Sequence, residues 1–180
     1  LNQQRRQAQD RRSTTVHSKG LRNVVRVETG DPSRPWSLKT RDGTPVEPFT
    51  VYCARNTSDA YATQKRYAEA TSRFIDYLYE AEVFTGSLTV TQLNEVVDAY
   101  PTFLKDGSEA TIRKQAKINA KFPEQSDWKT KVATALQWRP VMQSTLKSAL
   151  AAVNKFLRLS EDLARESTER LDALGLPRET

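Results

Sequence analysis

Thr63-Gln-Lys-Arg-Tyr67-Ala-Glu-Ala-Thr71-Ser-Arg-Phe74-Ile75 is the stretch from which the fold is most directly read. Tyr67, Ala70, Thr71, Phe74, Ile75 and Leu78 recur at three- and four-residue spacing, the period of a helix with one buried face. A second stretch, Thr145-Leu146-Lys-Ser-Ala149-Leu150-Ala-Ala-Val153-Asn-Lys-Phe156-Leu157, repeats the same pattern of Thr, ten residues, Phe and an aliphatic residue. In both, a hydroxyl near the helix start stands three turns from an apolar Phe. The two predict a mainly helical body, though the shared pattern is too loose to imply duplicated domains.

Outward from the first stretch, Asp59 predicts an N-cap for a helix from about Ala60 to Phe84, with Gly86 as its stop. Thr89-Val-Thr-Gln92 reads as a capping box, with Leu88 and Leu93 as a hydrophobic staple. The helix that follows should bury Leu93, Val96, Val97, Tyr100 and Leu104, and Pro101 predicts a kink or an early end. Ser108 opens a third helix through about Lys121, closed by Pro123. Arg139-Pro140 leads into a helix with Met142, Leu146, Ala149, Leu150, Val153, Phe156 and Leu157 on one side. Ser160 is expected to cap a final helix to about Leu174, with Gly175 and Pro177 as stop signals.

Upstream of the helices, Val24-Val25-Arg-Val27 and Trp36–Thr40 predict a small β-hairpin. The Asp42-Gly43 turn then leads into Phe49-Thr-Val51-Tyr52, read as a further extended segment. Pro32, Pro35, Pro45 and Pro48 argue against a large sheet. Residues 1–22 are rich in Gln and Arg, too poor in apolar side chains to order alone, and predict a flexible basic arm. The expected organisation is an arm over 1–22, a hairpin lead-in over 23–57 and a helical body over 58–176.

Charge is unevenly spread. Residues 1–27 carry a net +6, residues 28–104 a net −4, residues 105–158 a net +7 and the last 22 residues a net −3. Basicity gathered into an arm and one internal segment points to a polyanionic partner. No apolar run reaches the roughly 18 residues of a membrane span, and the charged N-terminus has no apolar stretch behind it to make a secretory signal. Cys53 and His17 are each the only residue of their type, so no disulfide is expected within the chain, no zinc site and no cofactor. A lone Cys fits a reducing cytoplasm. Leu1 in place of a start Met predicts a fragment or a processed piece.

The order of these elements resembles the N-terminal half of a tyrosine recombinase of the phage-integrase type. Thr63, Tyr67 and Phe74 match the family's first helix, T-x-x-x-Y-x-x-x-x-x-x-F. Leu88-Thr89 and Tyr100-Pro-Thr-Phe103-Leu104 are similar to the opening and close of its second. Ser144-Thr145 with Leu150-Ala-Ala-Val153-Asn-Lys-Phe156 is similar to a later one. Asp42-Gly-Thr-Pro45-Val46-Glu-Pro-Phe49 resembles the lead-in of some mobile-element integrases. The resemblance covers roughly residues 36–176; the 105–140 segment is longer than the family's usual connection. It implies a SAM-like orthogonal bundle of four to five helices, a core-binding domain that clamps double-stranded DNA beside other recombinase protomers in a bacterial, nucleoid-associated setting. It implies no small-molecule substrate. The family's His-x-x-Arg motif is absent, since His17 is followed by Ser18-Lys19-Gly20, so this chain is not expected to cut DNA.

Candidate DNA contacts fall in three groups. Lys147, Ala151, Asn154, Lys155 and Arg158 form the face opposite the apolar side of the Thr145 helix, and no acid lies within that face. Thr145 and Ser148 at its start are placed to donate to phosphate where the helix dipole favours an anion, while Ser144 reads equally as a cap. Arg113, Lys114, Lys117 and Lys121 form a second cluster at helical spacing, with Glu109 placed to pair with Arg113. Thr63, Lys65 and Arg66 occupy the first turn of the Tyr67 helix, whose later charges read as internal pairs, Lys65–Glu69 and Glu69–Arg73. Glu161–Arg165 and Glu166–Arg170 predict a last helix that only packs. Trp36, Trp128 and Trp138 read as loop anchors, with stacking on unpaired bases as the alternative. The rival from a different class is a helical protein-interaction module with apolar grooves for a partner helix.

Overall fold

The structure is a computed structural model that describes residues 15–17 and 19–173, with side chains described as far as Glu166. It is mainly helical with a small antiparallel sheet. Strand β1 (Thr15–His17) pairs with β2 (Val24–Glu28), which pairs with β3 (Trp36–Thr40). The helices are α1 (Glu47–Arg55), α2 (Tyr61–Glu80), α3 (Val90–Lys121), α4 (Trp128–Leu136) and α5 (Gln143–Ala173). A short 3-10 turn, Val83–Thr85, follows α2. Within the span expected to be a flexible arm, residues 15–17 are a paired strand; residues 1–14 lie outside the described residues.

Alternation sets the sheet's inner face. Val24 and Arg26 of β2 and Trp36 and Leu38 of β3 are buried, with Arg26 opposite Leu38 in register. After the Asp42-Gly43 turn the chain becomes α1 rather than the extended segment expected. Pro48 sits in its first turn, where a missing N–H costs no helical bond. Phe49, Tyr52 and Cys53 share one face at i, i+3 and i+4, and all three are buried. The apparent 49/51 alternation was the weaker of two periods present in the same residues.

Helix α2 is the central element. Its core residues Thr71, Phe74, Ile75 and Leu78 match the expected stripe, but Ser72 and Asp76 are buried as well because the β2 side covers them, and Tyr77 because α3 and α4 do. Asp76 accepts from the backbone N–H of Arg22 (3.1 and 3.0 Å to its two oxygens), Asn23 (2.6 Å) and Val24 (3.3 Å), which fastens the start of β2 to α2. Burial pushes this carboxyl above the ordinary range, and the backbone donors pull it back only in part. Asp59 does not cap α2: Ala60 holds the N-cap position with no side-chain bond. The helix also ends at Glu80, short of Phe84, because Glu82 turns left-handed (φ 60°); Gly86 closes the 3-10 turn instead.

The capping box at α3 is formed, Gln92 N–H donating to Thr89 Oγ1 at 3.3 Å and Thr89 N–H to Gln92 Oε1 at 2.9 Å. Leu93, expected inside, is exposed, while Val96, Tyr100 and Leu104 are buried. The helix runs through Pro101, which keeps helical backbone angles although its missing N–H removes one helical hydrogen bond, and breaks at Gly107 instead (φ 74°, ψ 175°). That elbow is held by the 138–141 segment: Ser108 N–H donates to Trp138 O (2.8 Å), Trp138 N–H to Ser108 Oγ (2.8 Å) and Val141 N–H to Leu104 O (3.1 Å). A Cβ on Gly107 would stand 2.7 Å from Pro140 N, so no side chain fits. Ser108 begins the distal limb, as expected.

Helix α4 was not foreseen. It buries Val132, Ala133 and Leu136 and ends where Gln137 adopts φ 51°. Helix α5 is continuous across Ser160, which donates back to Phe156 O (3.0 Å) and caps nothing. Met142, expected on the core side, precedes the helix and is 76% exposed. Leu146, Val153, Phe156 and Leu159 make the buried seam. Sheet and helices share one apolar cluster, in which Phe74–Tyr100 (4.8 Å), Tyr77–Phe103 (5.4 Å), Phe103–Trp138 (5.8 Å) and Tyr52–Phe156 (5.6 Å) are ring contacts.

Candidate nucleic-acid interface

The expected basic residues do not converge on one patch. On α5, Lys147 and Arg158 are exposed and have no carboxylate partner among the described residues. Lys155 differs. It donates to Asn56 Oδ1, lies 4.0 Å from Asp59 and sits 5.3 Å from the Tyr67 ring centroid. The face lacks acids in sequence, but the α1–α2 connection supplies one in space. Ser148 Oγ donates to Thr145 O (3.0 Å), so its proton is used within the helix, while Thr145 is exposed.

On the distal limb of α3, Arg113 pairs with Glu109 (3.7 Å) as expected, but Lys114 bonds Asp106 across the elbow at 2.6 Å. The bend at Gly107 brings that acid within reach, which linear helical spacing does not show. Lys117 and Lys121 remain exposed and unpaired among the described residues. At the start of α2, Arg66 is exposed, and Thr63 and Lys65 are half-buried. Neither expected internal pair of α2 forms: Glu69 reaches Arg26 (3.7 Å), and Arg73 lies over the Trp138 ring at 4.3 Å. Arg165 likewise bonds Asp162 (2.8 Å) rather than Glu161. Arg170's side chain lies outside the described residues. Trp36 and Trp138 are buried, and half-buried Trp128 packs on the core, so all three act as anchors.

A second basic feature escaped the sequence reading. Between β1–β2, the middle of α2 and the α4–α5 connector lies a groove of about 840 Å³. Lys19, Arg26, Arg73 and Arg139 line it against one carboxylate, Glu69. Arg26 donates to Ser72 Oγ at 2.7 Å and stands 5.8 Å from the Trp36 ring centroid. Its Nε, buried, finds no partner, and neither does Trp138 Nε1. Burial pushes the pKa of both Arg26 and Arg73 down, opposed for Arg26 by Glu69. Gln137, in its left-handed conformation, also lines an adjoining depression with Arg22 and Lys131, although Arg22 pairs with Glu80 (3.2 Å). The signal available in sequence was Arg26 itself, at the position in β2 where alternation points inward.

Among the described residues no group of three or more His, Cys, Asp and Glu is placed to hold a metal, and no helix is long and apolar enough to cross a membrane. No family model, curated protein or solved structure matches the chain.

Proposed function

We propose that this chain is the DNA-binding part of a tyrosine-type site-specific recombinase, clamping duplex DNA at a recombination site while cleavage resides in another part of a longer protein. On this reading α2 to α5 form the SAM-like bundle of such a region, with double-stranded DNA and further protomers as partners. The observation that carries the reading is two separate pairs of exposed cations with no carboxylate partner among the described residues, Lys117 and Lys121 on the distal limb of α3 and Lys147 and Arg158 on α5. Phosphate contacts need such side chains, because an ion pair within the protein must be broken before DNA is bound. The burial of Phe74, Tyr100, Phe103, Leu104 and Phe156 in one cluster supports the correspondence of the three helical motifs. The assignment of cleavage elsewhere is supported by the phenols of Tyr52, Tyr77 and Tyr100. Burial pushes all three up, Tyr52 to about 12, which disfavours the phenolate of a nucleophile.

The experiment is a salt titration of binding to random-sequence duplex. Lys147→Gln with Arg158→Gln should weaken binding and reduce the slope of log affinity against log salt by about 2. An unchanged slope sinks the proposal. The rival protein-interaction reading is favoured by one feature, an apolar hollow of about 220 Å³ between the limbs of α3 and α4, flanked by Ile118 at 40% exposure. It predicts no salt-dependent DNA binding at all.

A further inference from the structure

We propose that the groove between β2, α2 and the α4–α5 connector is a built site for one phosphate group. The proposal concerns residues outside the exposed rows on α3 and α5 and does not require them to contact DNA. Four cations from three separate parts of the chain, Lys19 and Arg26, Arg73, and Arg139, line the groove together with a single carboxylate, Glu69, which reaches Arg26. Like charges are costly to gather at a partly buried place unless an anion is present for part of the time. Two residues that line the groove, each more than nine-tenths buried, hold a buried donor with no partner. Arg26, 8% exposed, leaves Nε without a partner, and Trp138, 7% exposed, leaves Nε1 without one. Orphaned buried donors are rare because each costs much of its desolvation without return.

The geometry favours a phosphate over a carboxylate or halide. A tetrahedral anion presents acceptor oxygens in several directions, matching donors that approach from a strand, a helix and a loop. Arg73 Cζ stands 4.3 Å from the Trp138 ring centroid, a cation–π contact that places its guanidinium before any ligand arrives. Arg26 is held by Ser72 and, more loosely, by Glu69 at 3.7 Å, a contact long enough to be exchanged for a ligand oxygen. Lys19 and Arg139 are exposed and form the rim that draws the anion in. The phosphate has two possible sources, a free phosphate or phosphomonoester and a backbone phosphate of nucleic acid.

The test follows the indole N–H of Trp138 and the Nε–H of Arg26 by proton–nitrogen NMR. Inorganic phosphate and a random-sequence DNA duplex are added in separate titrations. We expect both signals to shift on addition of phosphate, of duplex, or of both. A shift with phosphate alone identifies a free-anion site, and a shift with duplex identifies the backbone. The exposed-rim substitutions Lys19→Gln and Arg139→Gln should each weaken the response about tenfold with the thermal midpoint unchanged. Neither probe moving the two signals overturns the proposal, as does a response that survives intact in the Lys19→Gln, Arg139→Gln double variant. Repeating the titrations in Lys147→Gln, Arg158→Gln separates the two readings. Loss of DNA affinity there with the phosphate response intact leaves this site standing whatever becomes of the outer rows.

Discussion

Helices α2 and α5 share a sequence pattern and differ in almost everything that surrounds it. In α2 the Phe of the pattern, Phe74, is fully buried, and Ser72, Asp76 and Tyr77 on other sides are buried too. In α5 the matching Phe156 lies in a single seam, with Ala151, Asn154 and Arg158 open to solvent. One helix is enclosed by the sheet and by other helices; the other leans on the body along one edge. Periodicity reports that a helix has an apolar side, but not how many sides will be covered. The contrast also separates two kinds of charge, since Asp76 of α2 holds the sheet in place, whereas Lys147 and Arg158 of α5 have no carboxylate partner among the described residues.

That contrast can be broken at several points. The largest effect is expected for Asp76→Ala, which leaves the N–H groups of Arg22, Asn23 and Val24 without an acceptor. Loss of roughly 3–6 kcal/mol should appear in denaturant unfolding. A loss under about 1 kcal/mol would show that α2 does not anchor the sheet. Phe74→Ala should cost about 3–5 kcal/mol and Phe156→Ala at least about 1 kcal/mol less, because a one-sided site collapses more easily around a cavity. Equal losses would erase the distinction between the helices. Gly107→Ala should cost about 2–3 kcal/mol, combining left-handed strain with a Cβ 2.7 Å from Pro140 N, and loosen the start of α5. Amide exchange would show faster opening of the residues after Gln143 than in the parent. The smallest stability effect belongs to Lys147→Gln with Arg158→Gln, within about 0.5 kcal/mol of the parent. If that pair unfolds the protein, α5 is not an open face.

Much of the architecture was legible. The helical periods of α2 and α5, the Thr89 capping box and the β2–β3 pair all rest on local chemistry, and local chemistry is what a sequence displays. The failures share another cause. Phe49 to Cys53 satisfies two periods at once, and only burial against β3 and α5 selects the helix. Pro101 looked like the break in α3, yet it is Gly107 whose backbone bends, because the 138–141 segment packs into the space that a side chain would need. Of the candidate contacts, Lys114 and Lys155 lost their freedom to Asp106 and Asp59, acids brought near by an elbow and by a neighbouring connection. Segment charge totals are blind to both. The phosphate groove was less legible still, since its cations are separated by more than a hundred residues and meet only when β2 lies across α2.

Cys53 gives the molecule a built-in clock. It is the chain's one thiol, 4% exposed on the inner face of α1, and burial raises its pKa to about 12. An alkylating reagent in neutral solution therefore meets neither surface nor thiolate until α1 lifts from the body. The rate of labelling measures how often that happens. Because Tyr52, the preceding residue, hydrogen-bonds Ala152 O of α5 at 3.1 Å, the same measurement reports when the open helix lets go of its support.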